Sequence, residues 1–176
     1  MEVSAQNNKI VAALNELPAD HQPYNLWRLF SKVRRAIWKS SERELARHDI
    51  TPEQAGILYI IRNVLHNPSQ SDISRQMLIE HHTISGSLKR MEAKGLVKRK
   101  TDVKRKSVIR ISLTPKGEAA CELAVDRRSI NNVMNVLSLE EREQFVILLQ
   151  KLLEKSLEEL NQHYSSPFSI PHKIAK

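Results

Sequence analysis

Residues 69–113 read SQSDISRQMLIEHHTISGSLKRMEAKGLVKRKTDVKRKSVIRISL, and this stretch decides the fold that we predict. It opens with Ser69 and Asp72, a pair that is typical of the capped start of a short helix. A second helix is predicted over 81–94, because apolar residues recur there at spacings of four and three: Ile84, Leu88 and Met91. Gly95 ends this helix, since glycine adopts the left-handed conformation after a helix at little cost.

The period of the apolar residues then changes from helical to two. Residues 108–113 alternate between inward and outward side chains, which predicts a strand paired with 96–101. The link between the strands is polar and basic, with Lys104, Arg105 and Lys106 near its centre. A short helix, a turn, a longer helix and a basic hairpin in this order indicate a winged helix-turn-helix.

Further helices are predicted on both sides of this unit. An amphipathic helix over 24–47 precedes it, and a second helix starts at Thr51-Pro52 and stops at Asn67-Pro68. Thr114-Pro115 and a capping box at Ser138 start helices that we expect at about 115–137 and 139–163. The expected fold class is mainly α with a small β-hairpin, a winged helix-turn-helix with long N- and C-terminal helices.

The positive charge is concentrated in the second helix and the hairpin. The chain has a formal net charge of +8 and a pI of about 9.7. Between Glu80 and Lys116, eleven Lys or Arg stand against three Asp or Glu, whereas residues 138–163 contain six Glu and three Lys or Arg. This distribution favours a polyanionic partner, and the few aromatic residues disfavour a stacking platform for single strands. Double-stranded DNA is the partner that we expect.

The helix over 81–94 turns polar and basic side chains away from its apolar face. One such helix fits the major groove, and basic residues at a hairpin tip reach the minor groove or the phosphates. The expected DNA contacts are Ser69, Gln70, His82, Thr83, Ser85, Gly86, Lys89, Arg90, Lys104, Arg105 and Lys106. Taken singly, the helix fits an ordinary surface helix better, and a solubilising turn is the less favoured alternative for the hairpin. Their succession favours a DNA-reading unit.

The last predicted helix carries an apolar stripe that suits packing on another helix. Its residues, which we expect at a dimer interface, are Val146, Leu149, Leu153 and Leu160. Burial within its own chain fits the spacing equally well, and the need of an operator-binding protein for two copies favours a homodimer. Trp27 and Trp38 share one face of the first long helix, where they pack at an interface or line an effector pocket.

Enzymatic activity is not expected, because the chain has no P-loop, Gly-x-Gly-x-x-Gly, Gly-x-Ser-x-Gly or His-Glu-x-x-His motif. Cys121 is the single cysteine, and we interpret it as a buried structural thiol rather than an oxidant sensor. We expect no metal site and no cofactor. With no signal peptide and no apolar run of the roughly 20 residues that span a membrane, we expect a cytoplasmic protein without membrane contact.

Four pieces of the chain resemble the MarR family of bacterial and archaeal regulators: Ser69–Ile73, Thr83–Ser85, Met91–Arg99 and Ser112–Gly117. The resemblance covers roughly residues 26–163 and respects the order of every element. It implies an obligate triangular dimer, in which the first and last two helices form the interface and two winged lobes bind a pseudo-palindromic operator. Repression is the common mode in this family, with a small-molecule effector as a further partner, and activation is equally compatible with these residues. The alternative function is that of a non-specific architectural DNA-binding protein.

The chain departs from the family pattern at two places. The family's wing often has an Asp that holds an Arg, and counting back from Leu113 places Lys104 near that Asp, with Asp102 two residues earlier. We therefore expect a less rigid wing with Arg105 or a neighbour at its tip. The family also often has Arg where this chain has Gly86, so a major-groove arginine contact is missing at that position.

These expectations divide the chain into segments. The winged helix-turn-helix DNA-binding domain spans 51–114, and the dimerisation region combines 23–50 with 115–163. A polar arm, loose or briefly helical, spans 1–22, and a tail without periodic pattern spans 164–176.

Overall fold

The computed structural model describes residues 2–160. Its helices are α1 (Glu2–Asn15), α2 (Gln22–Leu45), α3 (Pro52–Tyr59), α4 (Gln70–Met77), α5 (His81–Ala93), α6 (Pro115–Val125), α7 (Arg128–Met134) and α8 (Leu139–Glu159). The strands are β1 (Val97–Thr101) and β2 (Ile109–Leu113). The chain divides into two compact units, and the boundary follows Ser40, inside α2.

The second unit contains the predicted winged helix-turn-helix, so the fold class is confirmed. α4, a turn and α5 are followed by the antiparallel pair β1 and β2, in which Val97 lies opposite Leu113 and Thr101 opposite Ile109. We call residues 96–113 the wing. Each strand begins one residue later than its alternation predicted.

The core of this unit joins the helices to the wing. Its fully buried side chains include Leu45, Ile57, Leu58, Ile73, Ile84, Leu88, Met91, Val97, Ile111 and Cys121. Each buried aliphatic side chain contributes about 1.5–3 kcal/mol relative to an exposed one. The three apolar positions predicted for the inner face of α5 all belong to this core, and Cys121 is buried as expected.

The predicted helix starts are present. Reciprocal capping boxes open α3, α4 and α8, in which a side-chain hydroxyl accepts from the third backbone N–H of the helix while the third side chain accepts from the cap. The pairs are Thr51 with Gln54, Ser69 with Asp72 and Ser138 with Glu141. Gly95 has φ 71° and ends α5, as the sequence predicts.

The helix that starts after Thr51 ends differently from the prediction. α3 continues into a wider π-helical turn over Ile60–Val64, and the chain is extended at Leu65, two residues before the predicted end at Asn67. Arg62 lies in the wide turn and pairs with two carboxylates of α6, at 3.1 Å to Glu118 and 2.9 Å to Glu122. A contact between residues so far apart in the chain leaves no local pattern.

One continuous helix over 115–137 is wrong, because the chain leaves the helix between α6 and α7. Arg127 has an extended backbone, with φ −72° and ψ 106°. The Glu44 carboxylate, from the last turn of α2, accepts the backbone N–H groups of Arg128 and Ser129, both at 3.0 Å. A distant side chain therefore caps α7 and makes the break favourable.

The structure describes the N-terminal segment from Glu2 onward but not the C-terminal tail. Residues 2–15 form a helix, which is one of the two conformations expected for the N-terminal segment. α8 ends at Glu159, and the predicted continuation to 163 and the tail over 164–176 lie outside the described residues. Within the described range, no helix carries an apolar stretch long enough to cross a bilayer.

Candidate nucleic-acid interface

The turn between α4 and α5 holds the two helices of the motif at a fixed angle. Leu78 adopts the left-handed conformation with φ 53°, which reverses the chain after α4. The Ser74 hydroxyl donates to the Ile79 carbonyl at 2.6 Å, and the Gln70 side chain donates to the His81 carbonyl at 3.1 Å. Side chains of α4 thus hold the backbone at the start of α5.

The outward face of α5 carries six of the predicted DNA contacts together. His82, Lys89 and Arg90 are exposed, and Thr83, Ser85 and Gly86 are half-buried. Since the opposite face is anchored in the core, the helix presents short polar and basic groups on a rigid support. That combination suits base edges and phosphates in a major groove.

The side chains of Ser69 and Gln70 form hydrogen bonds within the helix-turn-helix. The Ser69 hydroxyl donates to the Asp72 carboxylate at 2.7 Å and accepts the Asp72 N–H at 3.2 Å. The Gln70 amide nitrogen lies 3.1 Å from both the ring Nδ1 and the carbonyl oxygen of His81. The structure therefore gives these two predicted contacts a role in building the motif.

The predicted basic tip of the wing lies between the strands and is exposed. Lys104, Arg105 and Lys106 all project there, and among residues 2–160 no acidic side chain forms an ion pair with them. Their charge is therefore available to an external anion.

The expectation of a loose wing is corrected by the contacts of Asp102. One carboxylate oxygen accepts the backbone N–H groups of Lys104 at 2.8 Å and Arg105 at 2.9 Å. The other accepts Arg110 Nε at 2.7 Å. The hydrogen bond from the Arg110 side chain, followed by those from the two backbone groups, lowers the pKa of Asp102 to about 2. Asp102, and not position 104, thus holds the tip.

Arg110 also links the wing to the helix-turn-helix, a role that the sequence analysis missed. Its Nη1 donates to the Asn67 carbonyl at 3.3 Å and lies 3.8 Å from the Asp72 carboxylate. The backbone N–H of Ile111 donates to the Pro68 carbonyl at 2.9 Å. The one acidic residue in a basic hairpin was the available signal, but its partner depends on the strand register.

The last helix exposes an apolar face that overlaps the predicted dimer stripe only in part. Val146 and Leu160 are 51% and 58% exposed, whereas Leu149 and Leu153 are half-buried. Three further apolar residues of α8 add to the exposed face: Phe145, Leu148 and Leu152. In the first unit, α2 exposes Leu26, Trp27, Phe30, Val33 and Trp38. Exposed apolar side chains that are grouped on a helix are typical of surfaces that a partner covers.

Comparison with known proteins matches the chain to transcription regulators. A sequence model of the MarR family matches residues 48–106. An uncharacterized HTH-type transcriptional regulator of Bacillus cereus (strain ATCC 10987 / NRS 248) is 32% identical over 120 residues, an alignment that covers 66% of this chain and 78% of that protein.

Solved structures share the fold over most of the chain. S. aureus MepR, solved in complex with DNA, is 25% identical with a TM-score of 0.66, covering 80% of this chain and 99% of MepR. The organohalide-sensing regulator RdhR-CbdbA1625, solved with 2,4-dichlorophenol bound, is 24% identical with a TM-score of 0.74, covering 89% of this chain and 93% of that chain. The chain belongs to the MarR family of DNA-binding transcription regulators.

Proposed function

We propose that this protein is a transcription repressor that binds a pseudo-palindromic operator in double-stranded DNA as a homodimer. The observation that carries the proposal is the pairing of two surfaces on one rigid unit. The outward face of α5 offers short polar and basic side chains, and the wing beside it presents three exposed basic residues, whose loop is held by the contacts of Asp102 with Arg110. MepR, which is similar to this chain, has been solved on DNA.

The homodimer is supported by the uncovered apolar residues of α8. Phe145, Leu148 and Leu152 lie on one side of this helix, at spacings of three and four, and two of them are more than half exposed. Symmetric pairing would bury each residue twice. Two copies of α5 would then face two successive turns of the major groove, as a pseudo-palindromic site requires.

The proposal includes regulation of DNA binding by a small molecule. RdhR-CbdbA1625, which shares this fold, has been solved with 2,4-dichlorophenol bound. In this chain the exposed Trp27 and Trp38 of α2 are the aromatic groups that such a ligand would meet. Acting on chromosomal DNA, the regulator works in the cytoplasm.

The test is footprinting on the DNA that flanks the protein's own gene, followed by affinity measurements on the protected site and on random duplex at several salt concentrations. A regulator prefers its operator by a factor of roughly 10³ or more, whereas an architectural protein binds both duplexes alike. Equal affinity for both would contradict the proposal.

Two sets of variants separate the roles of the wing and of α5. Arg105→Ala should weaken binding to operator and random duplex by similar factors and reduce the salt slope by about one unit per subunit, because a wing arginine acts through phosphate charge. Ser85→Ala and Lys89→Ala should mainly reduce the preference for the operator, by about 1–3 kcal/mol for each good base contact. An unchanged salt slope in Arg105→Ala would show that the tip does not touch DNA.

A further inference from the structure

Three hydrogen-bonded side chains connect α3 to the outward face of α5: Glu53, Ser87 and Arg90. Ser87 is 1% exposed, although Gly86, directly before it, belongs to the outward face of α5. Its hydroxyl donates to the Glu53 carboxylate and accepts a hydrogen bond from Arg90 Nη2 at 3.1 Å. A carboxylate only accepts, and a guanidinium only donates, so the direction of both bonds is determined.

Ser87 lies between the charged groups of Glu53 and Arg90. These charges strengthen both hydrogen bonds and fix the geometry of Ser87. Glu53 is itself well placed, because it lies in the first turn of α3, which Thr51 and Gln54 cap reciprocally. Carboxylates are favourable at a helix N-terminus. The first turn of α3 thereby positions the side chain of Ser87 in α5.

Gly86 supplies the space in which Arg90 lies. Side chains on a helix lean toward its N-terminus, so the side chain of Arg90 passes over the residue one turn earlier. A Cβ built on Gly86 would lie 3.6 Å from Arg90 Nη1, in ordinary contact, and a longer side chain there would occupy the position of the guanidinium. Alanine would therefore fit at position 86, and only a longer side chain would compete with the guanidinium for this space.

We propose that Arg90 is the base-reading arginine of this protein, that Ser87 and Glu53 are its positioning residues, and that its target is a guanine in each half-site. This inference rests on the proposed function. A guanidinium recognises O6 and N7 of guanine through two N–H groups, a contact that depends on orientation. Arg90 held before binding loses less conformational freedom when it meets the base.

The experiment measures dissociation constants of the full-length protein on its footprinted operator and on duplexes in which each G·C pair of the half-sites is replaced in turn. Arg90→Ala should lose discrimination at one pair per half-site, by about tenfold. Arg90→Lys keeps the charge without the planar fork, so it should lose the same discrimination and retain the wild-type salt slope. Ser87→Ala and Glu53→Gln should lose part of the discrimination at that same pair.

Double variants separate positioning from general weakening. Ser87→Ala combined with Arg90→Ala should discriminate no worse than Arg90→Ala alone, because both remove one interaction. Ser87→Ala combined with Lys89→Ala is the matched control, in which the two fold-changes should multiply. Thermal unfolding of each variant shows whether the fold persists.

Several outcomes overturn the inference. They are multiplicative effects of Ser87→Ala and Arg90→Ala, losses at different base pairs, or an equal loss by Arg90→Ala on operator and random duplex with a lower salt slope, which identifies a phosphate contact. All of these leave the proposed function intact. A wild-type protein that does not distinguish operator from random duplex overturns the proposed function and this inference together.

Discussion

Two glycines show how differently a single residue type is used in this chain. Gly117 lies in the first turn of α6, where its N–H donates to the Thr114 hydroxyl at 3.0 Å and the backbone of Leu96 passes directly over it. A Cβ at this position would lie 2.0 Å from the Leu96 carbonyl oxygen. The helix and the wing can approach so closely only because the side chain is absent.

We therefore expect Gly117→Ala to lower the free energy of unfolding by about 1–3 kcal/mol or more, since backbone must move to admit the methyl group. Gly86→Ala is the matched control, because its Cβ meets nothing closer than 3.6 Å. It should raise the free energy of unfolding by about 0.5–1 kcal/mol through helix propensity. Urea denaturation of both variants checks the pair, and a neutral Gly117→Ala would contradict the close approach.

Asp102 makes the wing dependent on a single carboxylate. Its pKa is lowered to about 2 by the Arg110 side chain and two backbone N–H groups, from an ordinary value of 3.8. A lowered pKa means that the ionised carboxylate favours the folded wing above pH 3.8, and that this contribution is lost as the pH falls through about 2.

An NMR titration should therefore find the Asp102 carboxyl still ionised at pH 3, while the resonances of the Lys104 and Arg105 amides keep their native positions. Asp102→Asn should release the tip at neutral pH and weaken binding to operator and random duplex alike. A midpoint near 3.8 for Asp102 would contradict the contacts described above.

At the scale of elements, α7 exists because α2 supplies its cap. The hydrogen bond from the Ser129 side chain is the largest cause that lowers the pKa of Glu44, followed by that from the Ser129 backbone. Arg127 strengthens the junction, since its Nη1 donates to the buried Ser41 hydroxyl at 2.9 Å. The end of one helix, the break and the start of another thus form one connected structure.

Glu44→Ala should cost about 0.5–2 kcal/mol of the free energy of unfolding, the usual effect of removing a helix cap. Amide hydrogen exchange should rise first in α7. Glu42→Ala, two residues away on the exposed side of the same helix, is the control and should change stability by less than about 0.5 kcal/mol. Equal changes in the free energy of unfolding for the two variants would contradict the capping role of Glu44.

At the scale of the whole molecule, α8 leaves several large apolar side chains exposed among the described residues. Leu148 and Leu152 are 58% and 56% exposed and lie on the same side of the helix. Leu148→Glu with Leu152→Glu should convert the proposed dimer into folded monomers, because four carboxylates would enter one interface. Leu149 and Leu153 are half-buried, so glutamate there would disturb the monomer as well.

Analytical ultracentrifugation with circular dichroism checks this prediction. Lys151→Glu places the same negative charge on an exposed polar position of α8 and should leave the association state unchanged. A helical double variant that still sediments as a dimer would place the interface elsewhere. Loss of cooperative operator binding should accompany the monomer, since each half-site then binds one copy independently.

Most of the helices, their capping boxes, the hairpin and the polar face of α5 could be predicted from the sequence, because each depends on residues within one or two helical turns or one strand. The capping boxes at Thr51, Ser69 and Ser138 are complete within four consecutive residues. The contacts that could not be predicted join residues that are distant in the chain. The Glu44 cap spans 84 positions and the Arg62 pairing 60, while the partner of Asp102 depends on the strand register. Local spacing carries no information on such contacts, because the packing of separate elements, and not the interval along the chain, brings these groups together.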